Sequence, residues 1–144
     1  MKEVNRTVQR EKVMQSIYQI LLFLDEKMDY DATSIILSVF DVNDVDEIPK
    51  YALQVYIEAL KNFNDIKKII SDHLVTWTYE RVNPLCKAIL FLSLSEGIYV
   101  KTTPRNVIIN EAVNLAKKYL DSKEYRFINS LLDKVLRRWK NIYQ

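Results

Sequence analysis

The chain has 144 residues, 49% of them hydrophobic and 28% charged, with a formal net charge of +2 at pH 7. That is globular composition, long enough to bury a core without disulfides or a metal, and it excludes a disordered or fibrous protein. One glycine and one cysteine in the whole sequence exclude a glycine-cradled phosphate site and an internal disulfide, and so little glycine favours helices over hairpins.

Helical periodicity runs through nearly the whole chain. The first segment, Arg6 to Leu24, sets Val13, Ile17, Leu21 and Leu24 on one stripe at three- and four-residue steps. A second helix is expected over Ala32 to Phe40, with Asp31 as its N-cap. After an acidic linker from Asp41 to Glu47, Pro49 suits the first turn of a helix that buries Ala52, Val55, Tyr56, Ala59 and Leu60. Asn64 then reads as the cap of a helix carrying Ile66, Ile69, Ile70 and Leu74. Two cap-plus-proline pairs follow: Asn83-Pro84 opens a helix with Leu85, Ala88, Ile89 and Leu92, and Thr103-Pro104 opens one with Val107, Ala112, Val113 and Ala116. The last helix starts near Ser122 and carries Phe127, Leu131, Leu132, Val135 and Trp139. Gly97 either costs about 1 kcal/mol inside its helix or loosens the last turn. Residues 1–144 therefore read as a single all-α domain, a bundle of about seven helices in two half-bundles sharing a core across residues 72–84.

The charge is segregated. Residues 1–12 sum to +2, residues 117–140 to +5, and residues 25–72 to −6. A local basic patch is possible where the net charge suggests none; both ends also read as ordinary solvated helix faces.

Catalytic chemistry is not in evidence. His73 and Cys86 lack further nitrogen or sulfur ligands at zinc spacing, so no metal and no cofactor are expected. Paired carboxylates such as Asp44 and Asp46 lie in a wet linker where nothing separates their pKa values. Cys86 beside Lys87 reads as a buried, inert thiol. The reading is a non-enzyme that works by binding. No apolar run is long enough to span a bilayer and the N-terminus lacks a signal-peptide stretch, so a cytoplasmic protein with no membrane role is expected.

Two clusters carry binding chemistry. Arg6 and Arg10 are four apart and share one face of the first helix, with Lys2 just before them. At the start of the last helix, Arg126, Phe127 and Asn129 combine a cation, an aromatic and an amide within one turn. Unpaired RNA is held by such groups: bases stack on aromatics, amides read base edges, and cations meet phosphates. On spacing alone, Phe127 as core, Arg126 as solvated and Asn129 as incidental is the competing reading.

An ordered series extends these clusters. It runs from Arg10-Glu11 and Tyr18 through Trp77, Arg81, Ala88 and Glu96 to the P-x-x-V-x-I-N-E-A-V segment from Pro104 to Val113, then Phe127, Asn129 and Asp133. In order and spacing this series resembles the NusB family of bacterial transcription antitermination factors over nearly the whole chain. The resemblance implies a two-half helical fold, binding of the single-stranded boxA element of nascent RNA, and a place in the antitermination complex beside NusE, a ribosomal small-subunit protein. It assigns RNA contact to Lys2, Arg6, Arg10, Phe127 and Asn129, to which Arg126 of the same turn is added, and places Tyr18, Cys86 and Lys87 near the protein partner. Asn110 and Glu111 are expected to be structural. The sequence departs from the family pattern in its sparse N-terminal arginines, in Cys86 where an acid is common, in Phe91 where an arginine is common, and in Ser95 and Ser130. A purely protein-binding helical adaptor is the alternative.

Overall fold

The first helix begins where the Asn5 side-chain oxygen accepts the Val8 amide at 2.9 Å. In a computed structural model, which describes residues 5–139, this helix, α1, spans Arg6–Asp25. It is followed by α2 (Ala32–Phe40), α3 (Lys50–Lys61), α4 (Phe63–Asp72), α5 (Pro84–Leu94), α6 (Arg105–Tyr119) and α7 (Ser122–Arg138). Short 3₁₀ turns occupy Val45–Glu47 and Tyr79–Arg81, and a π-helical turn, Ser95–Val100, continues α5. The protein is all-helical in its described residues, as its periodicity and glycine scarcity imply.

Local signals set most boundaries. Asp31 accepts from the Thr33 and Ser34 amides, and those hydrogen bonds hold its carboxyl below the ordinary carboxylate value. Asn83 caps α5 through Leu85, with Pro84 in the first turn. Asp121 and Glu124 close a reciprocal capping box on α7. The α4 start differs from expectation. The helix begins at Phe63, and Asn62, not Asn64, stands at the junction, its amide bonding back to the Glu58 carbonyl at 2.8 Å. Because α3 and α4 nearly abut, one residue ends the first and begins the second.

The two expected halves are α1–α4 and α5–α7. Helix α1 packs on α2 and α3 and most extensively on α5, while α5 also meets α4, α6 and α7. One continuous buried cluster therefore spans both halves. Phe91 is fully buried and stacks on Phe63, with centroids 4.6 Å apart. The stripes hold at their centres and fray at their ends: Val13, Ile17 and Leu21 are buried, whereas Leu24, Val107 and Trp139 are exposed.

Gly97 sits in the π-helical turn because α7 leaves no room for more. A Cβ there would lie 2.5 Å from Leu136 Cδ2 and 3.4 Å from Ile108 Cδ1. Neither of the two sequence expectations for Gly97 named this close approach.

Candidate nucleic-acid interface

Helix α1 carries its first cation to the rim of the α1–α3 contact. Arg6 is exposed, and its guanidinium carbon lies 4.1 Å above the Tyr51 ring, a geometry that holds the charge over an aromatic face. Arg10, one turn on, shares that face, its guanidinium carbon 5.6 Å from the same ring centroid. Its exposure is only 4%, which leaves its side chain almost no surface for the RNA contact expected of it beside Arg6. Arg10 Nε donates to Glu96 Oε1 at 3.0 Å, Nη2 to Glu96 Oε2 at 2.7 Å, and Nη1 to Glu111 Oε1 at 3.2 Å. Tyr51 donates to Glu96, and Thr7 donates to Glu111 at 2.8 Å. Burial works against the Arg10 charge, but the Glu96 hydrogen bond, the Glu96 charge and that of Glu111 outweigh it and raise its pKa. The cluster joins α1, α3, the π-helical turn and α6. Glu111 has the structural role expected of it.

The opening turns of α7 present groups in two directions. Phe127 is half-buried and meets Trp77 edge-on, with centroids 5.6 Å apart at 86°. Lys123 Nζ lies 4.9 Å over the Trp77 ring. Trp77 and Lys123 line a cleft of about 600 Å³ that reaches Arg81 and Cys86. Arg126 and Asn129, both exposed, instead line a groove against α6. The aromatic, the cation and the amide thus remain near one another but do not form one face. Residues 118–119 and 11 brace the region: Lys118 Nζ donates to Glu11 Oε2 at 2.8 Å and Tyr119 also donates to Glu11. Lys2 lies outside the described residues.

The expected partner-facing residues are mostly inside. Cys86 is 1% exposed, and burial, reinforced by the charges of Glu124 and Asp121, pushes its thiol up to about 12. Lys87 is 2% exposed, with Nζ 4.1 Å over the Tyr79 ring; burial pulls its pKa down while the Asp25 and Glu80 charges oppose that. At these exposures neither offers its side chain to a partner surface. Tyr18 is half-buried against the core. His73 rests on the Ile69 carbonyl through Nδ1 at 2.8 Å. Among the described residues no cluster of three or more His, Cys, Asp or Glu side chains is disposed to hold a metal, and no helix is long and apolar enough to cross a membrane.

One group of residues escaped the sequence reading. Asn110 was expected to be structural, but it is exposed, and with Asn114 and Lys117 it forms the α6 wall of the groove that Arg126 and Asn129 line. Steps of four and three residues along α6, opposite the buried Ala112 and Ala116, were the available signal.

The NusB family model matches residues 7–137. The chain belongs to the NusB family. It is 33% identical to a transcription antitermination protein NusB of Finegoldia magna, over 96% of this chain and 98% of that protein. It is 35% identical to the protein of the same name from Macrococcus caseolyticus, over 93% and 98% respectively. Among solved structures, T. maritima NusB superposes with a TM-score of 0.80 at 22% identity, covering 94% of this chain and 93% of that one. A structure described as antitermination factors NusB and NusE in complex with dsRNA matches with a TM-score of 0.78 at 22% identity, covering 93% and 97%. Phe91, one of the departures from the family pattern, occupies a fully buried core position.

Proposed function

We propose that this chain acts as a transcription antitermination factor that binds single-stranded, boxA-type RNA together with NusE. The observation that carries the reading is near-full-length similarity to proteins named transcription antitermination protein NusB, joined to an exposed cation and amide beside a half-buried aromatic at the start of α7. Arg6 and Arg126 meet phosphates, Asn129 reads a base edge, and the free part of Phe127 offers a stacking face; Lys2 adds a cation from outside the described residues. Arg10 serves the fold instead. The protein is a single, cytoplasmic, non-catalytic domain with no cofactor.

The partner face runs along α1 from Tyr18 to Leu22, which is one turn on and exposed. Lys87 and Cys86, both buried, belong to α5, which packs on α1. An exposed leucine beside a half-buried tyrosine is what a helical protein adaptor without RNA would also present, so that reading competes directly.

Titration of the protein with boxA-type single-stranded RNA, a scrambled single strand, duplex RNA and duplex DNA, with and without NusE, tests the proposal. The boxA-type strand should bind tightest, and NusE should strengthen it by the same factor by which that RNA strengthens NusE binding. Binding of NusE with no affinity for any nucleic acid would leave the adaptor reading in its place. Preference for duplex RNA would overturn the single-strand assignment.

A further inference from the structure

The groove between α6 and α7 has a composition that the proposed contacts at the start of α7 do not explain. Asn110, Asn114 and Lys117 line it from α6, and Tyr125, Arg126 and Asn129 from α7. Its volume is about 420 Å³, within the range of sites that hold a small-molecule-sized group. The three asparagines are exposed, and their amides make no side-chain hydrogen bond among the described residues. Three amides converging on one hollow present paired donors and acceptors, the pattern that recognises the edge of a nucleobase.

The charge of the groove has one sign. Lys117 and Arg126 are its ionisable walls apart from the Tyr125 phenol, and no carboxylate lines it. Such a hollow attracts an anion and repels a cation. Tyr125 is half-buried, with Lys117 Nζ 5.5 Å from its ring centroid. A base laid on that ring displaces the flexible lysine toward the flanking phosphate, so one aromatic and one cation serve one nucleotide.

We infer that the α6–α7 groove is a nucleotide-reading subsite, in which Asn110, Asn114 and Asn129 recognise one unstacked base of a single-stranded RNA while Lys117 and Arg126 hold its phosphates. This rests on the proposed RNA-binding function and adds to it a second wall, on α6, that extends the path of the strand beyond the Phe127 side of α7.

The test compares wild type with the double variant Asn110→Ala/Asn114→Ala and with Lys117→Gln, titrated against boxA-type RNA and a scrambled strand of equal length. Both asparagines are exposed and alanine is the better helix former, so the double variant keeps its fold, which circular dichroism verifies. The double variant should lose about tenfold in affinity for the preferred strand, the size expected for one or two lost hydrogen bonds, and much less for the scrambled one. Lys117→Gln should weaken both strands alike and lower the salt slope by about 0.7. Wild-type affinity and preference in the double variant, with Arg6→Glu still weakening RNA, would overturn the subsite and leave the broader function standing. A wild-type protein that binds no RNA even at low salt would overturn both.

Discussion

Arg10 of α1 and Glu96 of the π-helical turn meet through parallel contacts, Nε to Oε1 at 3.0 Å and Nη2 to Oε2 at 2.7 Å, across 86 residues of sequence. Both side chains are almost fully buried. Breaking such a pair from one side leaves a carboxylate without its counter-charge in a low dielectric. Arg10→Met should therefore destabilise by about 3–5 kcal/mol, read from urea unfolding. Arg10→Lys keeps the charge but not the fork, and should recover only part of the loss. A cost below about 1 kcal/mol, typical of exposed pairs, would show that the cluster contributes little.

That pair also changes the expected salt dependence of RNA binding. Counting Lys2, Arg6, Arg10 and Arg126 as four phosphate contacts gives a slope of log K against log salt near −3 for a single strand. With Arg10 committed to Glu96 and Glu111, three of these contacts remain and account for a slope near −2, to which the Lys117 contact inferred in the α6–α7 groove adds about −0.7. Arg6→Ala should flatten it by about 0.7, whereas the slope should not respond to Arg10→Lys. A slope unaffected by Arg6→Ala would remove Arg6 from the interface.

These two outcomes show what the sequence could and could not reveal. Asp31, Asn83-Pro84 and the Asp121–Glu124 box are local signals, and the helices they start begin where the sequence placed them. The spacing of Arg6 and Arg10 correctly put both on one face, since both guanidinium groups lie over the Tyr51 ring. Whether that face meets water depended on Tyr51, Glu96 and Glu111, which the fold brings from 41, 86 and 101 residues away. The spacing of Phe127 and Asn129 carried the same ambiguity. Two residues apart on a helix is more than half a turn, so the pair addresses Trp77 on one side and the α6 groove on the other.

Gly97 offers a packing test. A methyl at this position meets Leu136, itself fully buried and without room to withdraw. Overpacking of about 1–3 kcal/mol competes with the roughly 1 kcal/mol that alanine gains over glycine in a helix. Gly97→Ala should be net destabilising by thermal unfolding. Leu136→Val in the same chain should relieve part of that loss, making the pair less destabilised than the sum of its single changes. Strict additivity would mean that the two positions do not touch in solution.

The Cys86 thiol should be silent in the folded protein. With its pKa pushed up to about 12 by burial and by Glu124 and Asp121, it carries almost no thiolate at pH 8 and should react with a disulfide reagent only after unfolding. The unfolded chain releases this proton at lower pH than the folded one, so the folded state binds more protons in the interval between. Stability from this group is therefore intact at neutral pH and is lost as pH rises from about 9 toward about 12. Cys86→Ala should remove that part of the alkaline loss. Rapid labelling of the native thiol at pH 8 would contradict its burial.

Phe127 separates packing from recognition. Its ring is half-buried against the core and meets Trp77 edge-on, so Phe127→Ala disturbs the fold and any stacking face together. Phe127→Leu keeps most of the apolar volume and removes the aromatic surface. The leucine variant should lose less than about 1.5 kcal/mol of stability, yet about 1–3 kcal/mol of affinity for single-stranded RNA, the usual contribution of one stacked base. Trp77 supplies an independent readout, because the chain has two tryptophans and the other, Trp139, lies exposed at the end of α7. In a Trp139→Phe background, RNA that stacks on Phe127 should change Trp77 emission, and Phe127→Leu should abolish most of the change. If the leucine variant binds RNA like wild type and the emission response persists, the ring is a core residue alone and the strand follows the Arg126–Asn129 side of α7.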